Sequence, residues 1–128
     1  MRLGLRCKPL DRFMLVTDAM PSVGMTDKTF MLQGQPIRVE NGVCVNADGT
    51  LAGSDLDMAL AVRNAVAMLR VTPEAALNMA SRHPAAFLRV SDTIGRIVPG
   101  AFADFVAIDD ALEVIDTWIR GQPSDRAT

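Results

Sequence analysis

The sequence has no tyrosine, one tryptophan, one histidine and two cysteines among its 128 residues. Aromatic residues make up only 5% of it. Lysines and arginines are interspersed with aspartates and glutamates, and the net charge is −2. A nucleic-acid-binding surface needs a basic patch, usually with aromatic side chains for stacking. We therefore expect no nucleic-acid partner.

The two cysteines and the apolar segments argue for a cytoplasmic location. Cys7 and Cys44 are far apart and fit no metal or redox spacing, so we expect two free thiols. The longest helix-like apolar stretch, 58–69, contains Arg63 and Asn64, which is too polar for a membrane span. The N-terminus has no apolar segment of the kind found in signal peptides. We predict no membrane association.

An unbroken apolar run, 13–16, ends in Thr17-Asp18, within a chain that is 49% hydrophobic. A run without polar alternation is typical of a strand covered on both faces, as in a parallel sheet flanked by helices. Asp18 would then lie at the carboxyl end of the strand, where catalytic groups of (β/α) barrels stand. The alternative, which the run alone favours, is that Asp18 caps the loop before Pro21.

The rest of the chain divides near residue 90 into strand and helix material and then strands only. Before that point the pattern predicts strands at 29–32, 37–39 and 43–45, a helix from Ser54 as N-cap to about Arg70, a helix from Thr72-Pro73 to Ser81, and a short helix over 83–88. Pro9 ends a helix over residues 1–8. Strands are predicted at 93–98, 104–109 and 112–119, and the segment from Gly121 is predicted to be frayed.

Several segments resemble the N-acetylglucosamine-6-phosphate deacetylase family of the amidohydrolase superfamily. They occur in the family's order and at similar spacing: Leu15–Met20 (LVTDAM), Gly49–Ser54 (GTLAGS), Ala61–Val66 (AVRNAV), Met79–Ser81 with Pro84-Ala85, Gly95–Gly100 (GRIVPG) with Ala103-Asp104, and Thr117–Gly121 (TWIRG). The first two segments are the most specific to the deacetylases. The Gly95 to Asp104 segment supports the superfamily only.

The resemblance implies an α/β fold that is the C-terminal part of a larger enzyme. Residues 1–90 would be the last strand and helices of a (β/α)8 TIM-type barrel, and residues 91–128 would belong to a small β-sandwich domain. A complete barrel takes about 250 residues. The family usually has glycine where this chain has Arg89, so the turn after the short helix is expected to differ. The resemblance also implies a homodimer in the complete enzyme.

The implied reaction is hydrolysis of N-acetylglucosamine 6-phosphate to acetate and glucosamine 6-phosphate, in amino-sugar metabolism. By resemblance, Asp18 is the general base and then the acid, whereas Leu51, Ala52 and Gly53 contact the sugar. The complete enzyme would use a divalent metal, zinc or iron, to activate water. These are expectations carried over from the family, residue by residue.

The single histidine is too few for the metal site that the resemblance implies. A catalytic zinc site needs about three protein ligands, and His83 lies in neither an H-x-H nor an H-E-x-x-H pattern. We therefore expect no metal on this chain and no turnover by it alone. Two alternatives stay open: another amidohydrolase, dihydroorotase-like or deaminase-like, against which the GTLAGS segment argues, and a non-catalytic module that pairs with a partner or with itself.

Overall fold

The computed structural model describes residues 2–124 and divides the chain into two compact units. The central unit is Val16–Ala61. The terminal unit comprises Met1–Leu15 and Val62–Thr128, of which residues 2–15 and 62–124 are described. The domain division that we predict near residue 90 refers to the complete fold and stays a prediction.

The central unit contains a four-stranded antiparallel sheet in chain order. Its strands are β1 (Thr29–Leu32), β2 (Gln35–Glu40), β3 (Val43–Val45) and β4 (Leu51–Ser54). The first three confirm the strands predicted at 29–32, 37–39 and 43–45. Asn41 and Gly42 turn the chain between β2 and β3 with φ of 52° and 81°, as expected for this dipeptide in a two-residue hairpin. The fourth strand was not predicted from the sequence.

Helix α2 (Met58–Asn64) continues into a π-helical segment, Ala65–Leu69. The prediction that Ser54 is its N-cap is wrong, because Ser54 belongs to β4. The cap is Asp57, whose Oδ1 accepts a hydrogen bond from the amide of Leu60 at 2.6 Å. Both residues are favourable N-caps, so residue type alone did not distinguish them.

The core of the terminal unit lies between helices. One cluster of buried residues there is Val62, Ala65 and Ala76, with Leu15, Val66, Leu69, Val71, Ala80 and Leu112 packed against them. The other helices are α1 (Arg2–Cys7), α3 (Pro73–Ala80) and α4 (Arg82–Phe87). Thr72 caps α3 as predicted, since its hydroxyl accepts from the amide of Ala75 at 3.2 Å.

The buried strand predicted at 13–16 is not formed within the described residues. A 3₁₀ turn, Leu10–Arg12, precedes extended backbone at Phe13. The amide of Leu15 binds the carbonyl of Met79 at 3.0 Å rather than a neighbouring strand. Val16 is 79% exposed. An apolar run becomes a buried parallel strand only where other strands flank it, and the described part of the chain offers no such pair.

The terminal unit ends in a three-stranded antiparallel sheet. It consists of β5 (Phe105–Ile108), β6 (Val114–Ile119) and β7 (Gln122–Pro123). The strand predicted at 93–98 is wrong, because turn hydrogen bonds from Thr93 and Ile94 to the carbonyl of Val90 occupy that backbone. The prediction that the chain frays from Gly121 is wrong for β7, and residues 125–128 lie outside the described residues.

Helix α4 ends in a left-handed turn at Arg89, whose φ is 60°. The amide of Arg89 binds the carbonyl of Ala86, and that of Val90 binds the carbonyl of Ala85, the hydrogen-bond pattern of a Schellman motif. The turn therefore forms without the glycine that usually occupies this position. Because left-handed backbone strains a residue with a Cβ, the arginine is expected to reduce stability.

We expect Arg89→Gly to raise the free energy of unfolding by about 1 kcal/mol, since it removes the left-handed penalty while keeping both hydrogen bonds. Urea denaturation measures the change. The control is Ala86→Gly inside the same helix, where glycine is expected to cost up to about 1 kcal/mol. If both substitutions lowered stability equally, the strain at Arg89 would be refuted.

Candidate active site

Asp18 stands at an exposed turn of the central unit with φ of 54°. Aspartate tolerates left-handed backbone better than most residues do. Within residues 2–124 its carboxylate makes no hydrogen bond and no ion pair. The carboxylate is thus open to solvent and to a ligand.

Strand β4 fixes the backbone on both sides of Asp18. The amide of Ser54 donates to the carbonyl of Asp18 at 2.9 Å, and the amide of Met20 donates to the carbonyl of Ser54 at 2.9 Å. The hydroxyl of Ser54 adds a bond to the carbonyl of Thr17 at 2.5 Å. These contacts make a parallel bridge between Ala19 and Ser54. Ser54 therefore sets the position from which the Asp18 carboxylate projects.

Gly53 allows this close approach. A Cβ at this buried position would lie 2.5 Å from Cγ of Met20, 2.8 Å from its Sδ and 3.1 Å from the carbonyl oxygen of Asp18. Its φ of 144° is also unfavourable for other residues. Only glycine fits here without displacing the Asp18 loop.

The structure brings the four residues predicted for the site into one region of the central unit. Gly53 lies directly against the Asp18 backbone. Leu51 and Ala52 precede it in β4, with Leu51 66% exposed and in register with Val45. The contacts place Gly53 next to Asp18, whereas the roles assigned to all four residues stay predictions.

A polar cluster that the sequence did not reveal holds the loop after Asp18. Nζ of Lys28 donates to the carbonyl of Ser22 at 3.0 Å and lies 2.7 Å from Oδ2 of Asp55. The hydroxyl of Ser22 lies 3.5 Å from Sγ of the buried Cys44. Lys28 and Asp55 are 27 positions apart in the chain, and no sequence signal pairs two such charges. The cluster closes the loop that begins at Asp18.

The hydrogen bond from Lys28 lowers the pKa of Asp55 below its usual value, despite the desolvation of the carboxyl group. A lowered pKa in the folded state stabilises the fold above the unfolded pKa of about 4. That contribution is lost as the pH falls through the folded pKa. The pKa of Asp27 and that of Asp48 are also lowered, by hydrogen bonds from Thr29 and Thr50 respectively.

We therefore expect the free energy of unfolding to fall as the pH is lowered below about 4. Asp55→Asn should make the fall smaller, because the substitution removes one of the carboxylates that must be protonated. Urea denaturation at pH 6 and pH 3 measures it, with the exposed Asp110→Asn as control. An identical fall in wild type and Asp55→Asn would show that the pair with Lys28 contributes nothing.

The described residues do not fit a catalytic metal site. Among residues 2–124 there is no group of three histidine, cysteine, aspartate or glutamate side chains that could hold a metal ion. Nδ1 of His83 lies 2.9 Å from the carbonyl oxygen of Phe13, so this nitrogen donates to the backbone. Within residues 2–124, every helix is too short or too polar to span a bilayer.

Known proteins match the chain over most of its length. The family model described as "Amidohydrolase family" matches residues 10–123. An N-acetylgalactosamine-6-phosphate deacetylase of Escherichia coli O157:H7 is 44% identical over 91% of this chain and 31% of its own length. A shorter protein of Escherichia coli strain K12, whose name gives the same activity provisionally, is also 44% identical, and the chain covers 70% of it.

Solved structures match as well. The crystal structure of N-acetylglucosamine-6-phosphate deacetylase from Pasteurella multocida superimposes with a TM-score of 0.89 at 29% identity, over 96% of this chain and 32% of that one. The chain therefore spans about a third of the length of this protein and of the Escherichia coli O157:H7 relative.

Proposed function

The chain belongs to the amidohydrolase family, and from this premise we propose that it supplies the proton-transfer and sugar-contacting part of a deacetylase for N-acetylated hexosamine 6-phosphates. The names of the matched relatives and of the superimposed structure support this substrate class. We propose in addition that residues 1–90 are the last part of a (β/α)8 barrel and residues 91–128 part of a small β-sandwich domain.

The main support for the proposal is the exposure and fixed position of Asp18. Its carboxylate is exposed and unpaired in the described part of the chain. Its backbone is hydrogen-bonded to Ser54 and packs against Gly53, a position where a larger residue would clash. A general base must be reachable by the proton that it takes, in a fixed position. A carboxylate that merely capped the loop would be hydrogen-bonded to it.

Asp18 would act twice in the reaction. It first takes a proton from the water whose oxygen attacks the acetamide carbon. It then gives that proton to the sugar nitrogen as the C–N bond breaks, which releases acetate and the free amine. Proton transfer by a positioned side chain contributes about 10²–10⁴-fold to the rate.

Strand β4 would contact the sugar beside the reacting amide. Leu51 and Ala52 stand on the strand that holds Asp18, and Gly53 lets that strand lie directly against the Asp18 backbone. The described residues offer no ligand set for the zinc or iron ion that the resemblance implies. The roles that we propose for this chain are therefore proton transfer and contact with the sugar. The cytoplasmic location and the homodimer stay predictions.

A hybrid enzyme tests the proposal. In it, this chain replaces the matched region of the Escherichia coli O157:H7 relative. We expect the hybrid to release acetate from N-acetylgalactosamine 6-phosphate or N-acetylglucosamine 6-phosphate, but not from unphosphorylated N-acetylglucosamine. A folded hybrid that left both sugar phosphates intact, or that hydrolysed dihydroorotate or deaminated cytosine instead, would contradict the proposal.

A further inference from the structure

An open cavity of the terminal unit lies between the segment that follows α1 and helix α4. Its volume is about 1060 Å³, close to the upper end of the range of pockets that hold small molecules. The residues that line it come from two stretches, 8–14 and 82–87, and both stretches belong to the terminal unit. Asp18 and β4 belong to the central unit. The cavity therefore shares no residue with the candidate active site.

Positive charge dominates the walls of this cavity. Lys8, Arg12 and Arg82 line it together with a single acid, Asp11, and we call it the basic cavity. The three cationic side chains are exposed, and within residues 2–124 none of them makes an ion pair or a hydrogen bond. The cations that do form ion pairs in that part of the chain lie elsewhere: Lys28, Arg38, Arg63 and Arg96. A cleft lined by charge of one sign concentrates ions of the opposite sign.

His83 adds a donor whose orientation is fixed. Its Nδ1 donates to the carbonyl oxygen of Phe13 at 2.9 Å, and its ring is half-buried. The other ring nitrogen, Nε2, has no hydrogen-bond partner among residues 2–124. When Nε2 is protonated, the ring carries a positive charge and donates a second hydrogen bond. His83 can therefore contribute a fourth cationic donor to the cavity that it lines.

These side chains indicate the chemistry of a ligand. The planar guanidinium groups of arginine match phosphate oxygens with two parallel hydrogen bonds, and lysine binds phosphate as a point charge. Several cations around one site suit the two negative charges of a phosphate monoester better than the single charge of a carboxylate. The apolar part of the wall includes Phe87, which is 72% exposed, and Met14, which is 38% exposed. An exposed aromatic face is a surface on which a planar ring stacks.

We propose that the basic cavity binds a phosphate monoester that carries a planar ring, with its phosphoryl group on Lys8, Arg12 and Arg82 and its ring on Phe87. Pockets of this size enclose whole small molecules, so both parts of such a ligand fit. The proposal depends on residues of the terminal unit alone and not on the reaction proposed above.

Calorimetric titration of the chain with adenosine monophosphate (AMP) tests the proposal. Inorganic phosphate, which is the anionic part alone, and adenosine, which is the ring part without the anion, are the comparison ligands. We expect AMP to bind at least about tenfold more tightly than inorganic phosphate, because stacking on Phe87 adds to the charge interaction. We expect no binding of adenosine at millimolar concentration. Absence of AMP binding at that concentration, or equal affinities for AMP and phosphate, would overturn the proposal.

Arg82→Gln is expected to weaken AMP binding about tenfold, because it removes hydrogen bonds between charged groups. Arg96→Gln is the matched control. It removes the same charge from another exposed arginine of the terminal unit, so the affinity for AMP should stay at the wild-type value. Equal weakening by the two substitutions would mean that AMP is attracted only by the overall charge of the chain, and the basic cavity would be rejected as its site.

Asp11→Asn is expected to strengthen AMP binding about threefold, because it removes the one carboxylate that lines the cavity and repels the phosphoryl group. A gain in affinity does not arise from misfolding, so this variant covers a failure of Arg82→Gln to fold. Asp92→Asn, which affects a fully exposed side chain of the same unit, should leave the affinity unchanged. An unchanged or lower affinity of Asp11→Asn would contradict the proposal.

The same titrations on the hybrid enzyme test the cavity within a complete fold. We expect AMP binding there with the same responses to Arg82→Gln and Asp11→Asn. Binding to the chain that disappeared in a folded hybrid would show that other parts of the fold cover the cavity, which would overturn the proposal. A hybrid that bound AMP in this way but released no acetate would refute the proposed reaction and leave the binding site intact.

Discussion

Gly53→Ala is expected to lower the free energy of unfolding by about 3 kcal/mol, because overpacking and left-handed strain add at this position. The added methyl group would meet Met20 at 2.5 Å and the carbonyl of Asp18 at 3.1 Å, both in the loop that positions the candidate base. The side chain of Met20 can move, but the carbonyl oxygen is backbone. Relief of the contact would therefore displace Asp18.

Gly49→Ala is the matched control for this prediction. Gly49 has a φ of 85°, and a Cβ there would meet nothing within 4 Å. Gly49→Ala therefore introduces backbone strain without a steric clash, and we expect it to lower the free energy of unfolding by about 1 kcal/mol. Urea denaturation of both variants gives the difference. Equal losses would mean that the space at Gly53 is unimportant, and that the approach of β4 to Asp18 does not depend on glycine.

Asp18→Asn in the hybrid enzyme is expected to lower kcat by about 10²–10⁴-fold, since asparagine cannot accept the proton of the attacking water. Asparagine has nearly the same shape as aspartate and adopts positive φ as readily. Stability and circular dichroism should therefore stay at wild-type values. Acetate release under saturating substrate measures the loss.

The control for Asp18→Asn removes a carboxylate elsewhere in the central unit. Asp48→Asn affects an exposed side chain that binds the amide of Thr50 at 2.9 Å, and it should leave kcat within about twofold of wild type. A kcat for Asp18→Asn that matched this control would leave Asp18 as a residue of the loop without a role in proton transfer.

Local chemistry accounts for the parts of the fold that were predicted correctly. The Asn41-Gly42 turn and the Thr72-Pro73 helix start depend on residues within four positions of each other. Strands β1 and β3 follow from short apolar runs on either side of turn residues. These elements are determined by residues that are neighbours in the sequence, so the sequence alone was enough to predict them.

The predictions that failed concern elements whose structure depends on contacts with residues that are distant in the sequence. The run at 13–16 has strand composition but no flanking strands among the described residues, so it forms no strand, and Met14 and Val16 are exposed. Ser54 has the chemistry of a helix cap and is used instead to bind the carbonyl of Thr17. Whether a hydroxyl caps its own helix or a distant segment is decided by tertiary structure.

The candidate site was predictable only through the resemblance. The residues alone favoured Asp18 as a loop cap, whereas the resemblance carried by the LVTDAM and GTLAGS segments implied a general base and a sugar-contacting segment at 51–53. The structure adds how the two segments meet, through Ser54 and Gly53. Neither the residue pattern nor the resemblance predicted the ion pair of Lys28 with Asp55, because an ion pair between residues distant in the sequence leaves no sequence motif.

In the proposed function, this chain supplies the carboxylate for proton transfer and the metal ligands lie elsewhere in the complete fold. Metal content and acetate release, measured together on the purified chain and on the hybrid enzyme, test it most directly. We predict that the chain alone holds no stoichiometric zinc or iron and releases no acetate, whereas the hybrid does both. Stoichiometric, tightly held metal on the chain alone, with release of acetate from either sugar phosphate, would contradict the account.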